Sequence, residues 1–178
     1  MLRGVNVGGH NPIKMEALRA LYESLGLGGA QTYIQSGNVV FQAKERDSAR
    51  LAERIGDAIQ RDFGFHPGVV VRTCLEMREA MAKNPFPAQA AAEPGKLLVM
   101  FLGGLPDADS RDKAIRINTG PEQLKFEGRE LYIYYPDGQG RSKLSLPVVE
   151  KTLKTSMTGR NWNTVGKLLG MAESLEAA

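Results

Sequence analysis

The chain has 178 residues, of which 42% are hydrophobic and 24% are charged, and its formal net charge at pH 7 is +3. This composition is typical of a globular protein. The most apolar run, Leu97 to Leu102, has the length of a strand and is far shorter than the roughly 18 apolar residues of a membrane span. The first residues show no charged-then-apolar leader, so we expect a cytoplasmic protein with no membrane partner.

The first half of the sequence predicts the element order β-α-β-β-α-β. The first strand is short at its start, and strand residues are missing if Met1 is not the natural first residue. The predicted elements are a strand over 1–7, a helix opening at Asn11-Pro12, a hairpin turning at Gln35–Asn38, a helix capped near Asp47 and a strand over Gly68–Thr73.

The second half repeats this pattern as β-α-β-β-α, without a repeat of individual residues. The predicted elements are a linking helix over Leu75–Ala82, a loop over Ala88–Gly95, a strand over Lys96–Leu102, a helix over Asp107–Ile117, a hairpin with strands Gln123–Phe126 and Leu131–Tyr135, and one or two helices to the end. The sequence therefore predicts an α+β protein built as a tandem pair of ferredoxin-like, βαββαβ-type subdomains, with mostly antiparallel sheets and helices packed on one face. We place the first subdomain at residues 1–74 and the second, with its linking helix and an extra C-terminal helix, at 75–178.

The predicted topology of the first half brings three polar loops to one end of its sheet. Strands one and two run parallel with strand three between them, so the loop after strand one, the hairpin turn and the loop before strand four lie at the same end. These loops are Gly8–Asn11, Gln35–Asn38 and Gly64–Pro67.

Few residues carry recognisable reaction chemistry. Cys74 is the only cysteine, so no internal disulfide forms, and we interpret it as a packed thiol with no disulfide-linked partner. His10 and His66 lie in the converging loops, but no Asp, Glu or Cys accompanies them there, and a two-histidine metal site needs further ligands. The sequence thus assigns no catalytic residue, no metal and no cofactor.

Three segments resemble the signatures of an uncharacterised bacterial family, domain of unknown function 1697. They are Leu2–Gly9, Tyr33–Phe41 and Arg160–Val165. Members of that family usually carry a few more residues before the first strand, which implies a shortened start here. The resemblance also implies a tandem pair of α+β subdomains with ferredoxin-like character, and it brings no reaction with it.

The first group of candidate ligand-binding residues lies on and beside two of the converging loops. A glycine pair at a strand-to-helix junction exposes backbone N–H groups, and Lys14 in the first helical turn could reach a phosphate. The alternative is a tight turn that needs positive φ. Gln35 has little turn preference and could read an amide or a base edge, although turn chemistry alone also explains its neighbours. The candidates are Arg3, Asn6, Gly8, Gly9, His10, Asn11, Lys14, Gln35, Ser36 and Asn38.

The second group lies in the basic stretch from Gly138 to Lys167, which holds six basic residues and one acid. Arg141 and Lys143 beside two glycines are suited to phosphate, and the alternative is a solvated basic loop. Trp162 could stack on a ring, but its helical spacing with Val165 and Leu168 also fits a core residue. The candidates are Arg141, Ser142, Lys143, Arg160, Asn161, Trp162 and Asn163.

Three functions remain open at this point. The first is binding of a small phosphorylated ligand such as a nucleotide, as a binding protein or as an enzyme. The second is single-stranded nucleic-acid binding, for which Tyr132 and Tyr134 on one strand face are the best-placed stacking residues. The third is a non-catalytic protein-interaction scaffold.

Overall fold

The computed structural model describes every residue from Met1 to Ala178. It is an α+β protein with antiparallel sheets, as predicted. The elements are β1 (Leu2–Arg3), α1 (Met15–Ser24), β2 (Gly28–Tyr33), β3 (Asn38–Gln42), α2 (Ser48–Phe63), β4 (Gly68–Val69), α3 (Cys74–Ala82), α4 (Pro87–Ala92), β5 (Leu97–Leu102), α5 (Ala108–Ile117), β6 (Gln123–Glu127), β7 (Glu130–Tyr134), α6 (Leu146–Leu153), β8 (Met157–Asn161) and α7 (Trp162–Ala177). None of the seven helices combines the length and apolar character that a membrane span requires.

The chain forms two compact units. Unit 1 comprises Met1–Arg78 together with Lys167–Ala178, and unit 2 comprises Glu79–Gly166. Helix α7 therefore starts in unit 2 and ends in unit 1, whereas the predicted second subdomain ran without interruption to residue 178. The division into subdomains 1–74 and 75–178 stays a prediction.

Unit 1 contains two short antiparallel sheets, β1-β4 and β2-β3. They are linked by a 2.9 Å hydrogen bond from the backbone N–H of Leu2 to the carbonyl of Gly37. Helix α2 is capped at its start by Asp47, whose carboxylate accepts from Ala49 N and Arg50 N, and at its end by Gly64 with φ of 83°. Leucine and isoleucine residues of α1 and α2 form the core: Leu18, Leu21, Leu51, Ile55 and Ile59.

Unit 2 contains one four-stranded sheet in the order β6-β7-β5-β8, antiparallel at every pairing. All six residues of the central strand β5 are buried. The even-numbered ones, Leu98, Met100 and Leu102, belong to the core cluster that includes Ala114 of α5 and Val149 of α6. The alternation of β5 side chains between two buried faces explains why its sequence is apolar at every position.

Several local predictions were wrong, and the first strand, for example, covers only Leu2–Arg3 rather than residues 1–7. Helix α1 begins at Met15 rather than beside Pro12, because Ile13 N is engaged by the side chain of Asn6. The stretch predicted as a loop forms α4, since its alanines are strong helix formers. Strand β4 has only two residues because β1 offers only two partners. Strand β8 was predicted as part of a helix.

The tandem pair of ferredoxin-like subdomains stays a prediction.

Candidate functional site

Asn6 joins the loop after β1 to the hairpin between β2 and β3. Its Nδ2 donates to the carbonyl of Ile13 at 2.9 Å and to the carbonyl of Gln35 at 2.8 Å. Its Oδ1 accepts from Ile13 N at 2.9 Å. Two of the three predicted polar loops therefore lie side by side, and we call this region the polar-loop end of unit 1 (residues 4–14 and 34–38).

The third predicted loop lies beside Arg3. Arg3 and Gly68 are paired in the β1-β4 ladder, so the end of β1 and the start of β4 are neighbours. His66, just before β4, has its Nε2 3.4 Å from Asp57 Oδ1 of α2 and its Nδ1 3.1 Å from the Pro67 carbonyl. No cluster of three His, Cys, Asp or Glu side chains suited to a metal ion is present.

The glycine pair lies at the tip of a tight turn. Gly8 and Gly9 have φ of 58° and 78°, and His10 N donates to the carbonyl of Val7 at 3.0 Å. Helix α1 starts only at Met15, so the pair is not at a strand-to-helix junction as predicted. The N-cap of α1 is Lys14, whose side chain makes no capping hydrogen bond. The helix N-terminus is therefore uncapped by side chains and carries a lysine beside it.

Three non-glycine residues of the polar-loop end adopt left-handed backbone conformations. Asn6 has φ of 55°, Asn11 of 52° and Ile34 of 49°. Asparagine tolerates this region, and Asn11 Nδ2 also donates to the Gly4 carbonyl at 3.1 Å. For a β-branched residue the conformation is a genuine outlier and costs on the order of 1–3 kcal/mol. Ile34 is nevertheless 54% exposed, so burial of its side chain does not offset this cost.

The polar hairpin residues divide into two structural residues, Ser36 and Asn38, and one accessible residue, Gln35. Asn38 is fully buried, and its Nδ2 donates to the Tyr33 carbonyl at 3.1 Å and to Ser36 Oγ at 2.9 Å. Turn chemistry therefore accounts for Ser36 and Asn38. The Gln35 side chain is exposed and makes no hydrogen bond, while its carbonyl is held by Asn6.

The predicted basic loop of unit 2 is a single 3-10 turn, Gln139–Arg141, that follows Gly138 with φ of 82°. Arg141 and Lys143 are exposed. Ser142 is used by the backbone, since its Oγ accepts from Leu144 N at 3.1 Å. Two of the three predicted residues in this loop are thus accessible to an anion.

The predicted residues from Arg160 to Asn163 lie at the junction of β8 and α7. Arg160 is only 8% exposed, and its Nη1 donates to Thr158 Oγ1 at 2.9 Å and to the Gly159 carbonyl at 2.8 Å. Burial lowers the pKa of Arg160 to about 10. Asn161 accepts from Thr164 N at 2.9 Å and so supports the start of α7. Trp162 is half-buried, and Asn163 is exposed.

A match to a known protein family shows which family the chain belongs to. Residues 1–132 match the family described as "Protein of unknown function (DUF1697)". The chain belongs to the DUF1697 family. The match spans the polar-loop end in full and confirms the resemblance that Leu2–Gly9 and Tyr33–Phe41 suggested.

Comparison of structures gives this DUF1697 protein a known fold relative. The conserved bacterial protein SP0830 from Streptococcus pneumoniae superposes with a TM-score of 0.68 at 22% identity, over 97% of this chain and 96% of that one. At this identity the likeness concerns the fold. A comparison with the curated proteins gave no match.

Sequence reasoning missed two apolar residues of the polar-loop end. Val7 is 61% exposed and Ile34 is 54% exposed, and they adjoin Asn6 and Gln35, which are hydrogen-bonded to each other. Both were assigned to strands, where apolar residues are expected to be buried. Only the asparagine at position 6, an unusual residue for a strand, signals that the backbone turns there.

Proposed function

We propose that this DUF1697 protein binds a small anionic ligand, of the nucleotide or sugar-phosphate class, at the polar-loop end of unit 1. The observation that carries the proposal is Ile34. A half-exposed, β-branched residue is held in a left-handed conformation by a loop that Asn6 fixes in place. Strain of this kind concentrates at binding sites, because ordinary packing does not select it.

The charge of the region supports an anion. Residues 4–14 and 34–38 contain Lys14 and no acidic residue, and Arg3 directly precedes them. The α1 N-terminus adds backbone N–H groups without a side-chain cap, and helix N-termini favour negative charge. A phosphate group is the natural occupant beside Lys14.

The neutral side chains of the region support a ring next to that phosphate. Val7 and Ile34 present apolar surface to solvent, and the Gln35 amide offers one acceptor and two donors beside them. A planar base can contact the apolar pair while its polar edge hydrogen-bonds with Gln35. The proposal therefore favours nucleotides over bare sugar phosphates.

The test is calorimetric titration of the purified protein with AMP, ATP and ribose 5-phosphate. We expect the nucleotides to bind more tightly than the sugar phosphate, and Lys14→Ala and Gln35→Ala each to weaken nucleotide binding at least tenfold. The exposed Lys44, which precedes α2 outside the polar-loop end, provides the matched control Lys44→Ala. Equal binding by Lys14→Ala and the control would contradict the proposal.

The basic loop of unit 2 is a second candidate for the anion, because Arg141 and Lys143 are both exposed there. The double variant Arg141→Ala/Lys143→Ala in the same titration separates the two loops. The nucleic-acid alternative keeps its own test, which is a steep loss of affinity with salt. Tyr132, on which that alternative partly relied, is fully buried and donates to the Ala80 carbonyl at 2.5 Å.

A further inference from the structure

His10 is an exposed histidine on a tightly held turn of the polar-loop end. Its backbone N–H donates to the Val7 carbonyl at 3.0 Å, and two glycines with positive φ form the tip of the turn. The base of the turn is closed by a hydrogen bond of 3.2 Å from Asn6 N to the Asn11 carbonyl. The imidazole itself makes no hydrogen bond or ion pair. The fold therefore holds the backbone of His10 in place and leaves its ring nitrogens without a partner.

His66, the only other histidine, has a different environment. Its Nδ1 is 3.1 Å from the Pro67 carbonyl and its Nε2 is 3.4 Å from Asp57 Oδ1, so both ring nitrogens face acceptors. Its ring also lies against Gly56 of α2, where a Cβ would come within 2.4 Å of His66 Cε1. A neutral imidazole has one nitrogen lone pair, and at His66 that lone pair faces a carbonyl or a carboxylate oxygen. Only His10 therefore offers a lone pair that is free for nucleophilic attack.

Asn6 brings His10 together with the two side chains proposed to contact the nucleotide, Lys14 and Gln35. Its hydrogen-bonding partners are the chain neighbours of His10 and Lys14, and Gln35 itself, at distances from 2.8 to 3.2 Å. All three side chains are exposed. A nucleotide with its base beside Gln35 and its phosphates beside Lys14 therefore has His10 next to its phosphate chain.

The charges around His10 suit the transfer of a phosphoryl group. Residues 4–14 and 34–38 contain no acidic residue, so a phosphate approaches His10 without repulsion from a carboxylate of its own region. Lys14 supplies positive charge, and phosphoryl transfer depends chiefly on positioning and on electrostatic stabilisation of the phosphate oxygens. At His66, by contrast, the Asp57 carboxylate repels an incoming phosphate.

We infer that His10 is the nucleophile of a phosphoryl-transfer reaction at the polar-loop end, with a nucleoside triphosphate as the donor. The inference rests on the proposed function, because binding of the nucleotide brings the donor to the ring. The lone pair of one ring nitrogen attacks the γ-phosphorus, and the bond from this phosphorus to the oxygen bridging to the β-phosphorus breaks. The nucleoside diphosphate leaves with that electron pair, and the proton on the other ring nitrogen passes to solvent. The protein is left with a phosphoryl group bonded to the His10 ring.

The test is incubation of the purified protein with Mg²⁺ and ATP that is radiolabelled at its γ-phosphate. Phosphohistidine is stable in base and is hydrolysed in acid, so base-stable and acid-labile label on the protein reports the reaction. We expect wild type and the matched control His66→Ala to carry this label equally, and His10→Ala to carry at least tenfold less. Because the His10 side chain makes no hydrogen bond, His10→Ala should keep the melting temperature of wild type, which excludes misfolding as the cause.

Two further measurements separate transfer from binding. ATP labelled at its α-phosphate should leave no label on the protein, whereas equal labelling from both positions would indicate retained nucleotide and overturn the inference. Calorimetric titration with ATP should show that His10→Gln, which keeps Lys14 and Gln35, still binds the nucleotide. ATP that binds to wild type without labelling it would overturn the inference alone, and ATP that neither binds nor labels would contradict the proposed function as well. Equal acid-labile label on wild type and His10→Ala would also overturn the inference.

Discussion

The side chain of Asn6 donates a 2.8 Å hydrogen bond to the carbonyl of Gln35, and these residues are 29 positions apart in the chain. The same side chain makes two further hydrogen bonds with Ile13. One asparagine therefore fixes the loop after β1, the approach to α1 and the hairpin turn.

Asn6→Ala is expected to destabilise the protein by about 2 kcal/mol, because three hydrogen bonds are lost and alanine disfavours positive φ. Urea unfolding measures this loss. Asn6→Gly loses the same bonds but accepts the left-handed backbone, so it should be about 1 kcal/mol more stable than Asn6→Ala. Wild-type stability of Asn6→Ala would show that the junction is held by other contacts.

Ile34→Asn is expected to stabilise the protein by about 1 kcal/mol, because asparagine tolerates the left-handed region that isoleucine avoids. The same change removes the apolar side chain proposed to contact a ligand ring. The melting temperature of the variant should therefore rise, while its affinity for nucleotide, measured by titration of the same sample, should fall. A stabilised variant with unchanged nucleotide affinity would show that Ile34 does not contact the bound nucleotide.

Gly37→Ala is expected to cost at least 1 kcal/mol more than Gly26→Ala, as measured by denaturant unfolding. Both glycines have positive φ, of 80° and 74°. A Cβ at position 37 would lie 2.7 Å from the Leu2 Cβ, whereas a Cβ at position 26 meets nothing within 4 Å. The difference between the variants isolates the close packing of the hairpin on β1, and equal losses would mean that β1 moves aside.

Asp47→Ala is expected to destabilise α2 by about 1 kcal/mol, since the carboxylate accepts from the N–H groups of Ala49 and Arg50 at 3.0 and 3.1 Å. Asp47→Asn keeps a capping oxygen and should retain most of the stability. If both variants lose the same free energy of unfolding, the charge of Asp47 rather than its capping geometry is responsible.

The Glu93 carboxylate should contribute to stability in a pH-dependent way. The hydrogen bond from Lys96 Nζ at 2.6 Å, followed by that from the Tyr134 hydroxyl, lowers the pKa of Glu93 below its ordinary value. A carboxyl whose folded pKa is depressed stabilises the protein above its unfolded pKa, and loses that effect as pH falls through the folded pKa. The difference in melting temperature between wild type and Glu93→Gln should therefore be largest near neutral pH and should shrink below about pH 4.5. A constant difference across that range would contradict the assignment.

Most elements with a regular pattern could be predicted from the sequence. The apolar run of β5, the hairpin around Gly128 and the helix that follows Asp47 carry strong local signals, and the structure contains all three. Strand β8 carries none, because Gly159 and Asn161 are poor strand formers, and it forms a strand only because β5 offers it an edge. The pairing with β5 makes this segment a strand, and the local sequence pattern does not predict such a pairing.

The sequence predicted that the loop after β1 and the hairpin turn lie side by side, as the hydrogen bond from Asn6 to Gln35 shows, but it did not predict the roles of individual residues. Asn38 was predicted to contact a ligand, but the structure shows it as a buried residue of the turn. Ile34 was predicted to lie in a strand, but it is exposed. Whether a side chain of the hairpin is buried or exposed depends on the backbone conformation of the turn. The positive φ of Ile34 and the packing of Gly37 on Leu2 determine that conformation.

The division of α7 between the units has a consequence for protein synthesis on the ribosome. Unit 2 is one uninterrupted stretch, Glu79–Gly166, and can close as soon as it emerges. Residues 1–78 of unit 1 are synthesised first, but the unit also includes residues 167–178, where the Leu175 carbonyl accepts from Gln42 Nε2 at 3.0 Å. Residues 1–78 must therefore wait, with apolar surface exposed, until residues 167–178 have been synthesised, and a nascent chain stalled before residue 167 is the form most in need of a chaperone.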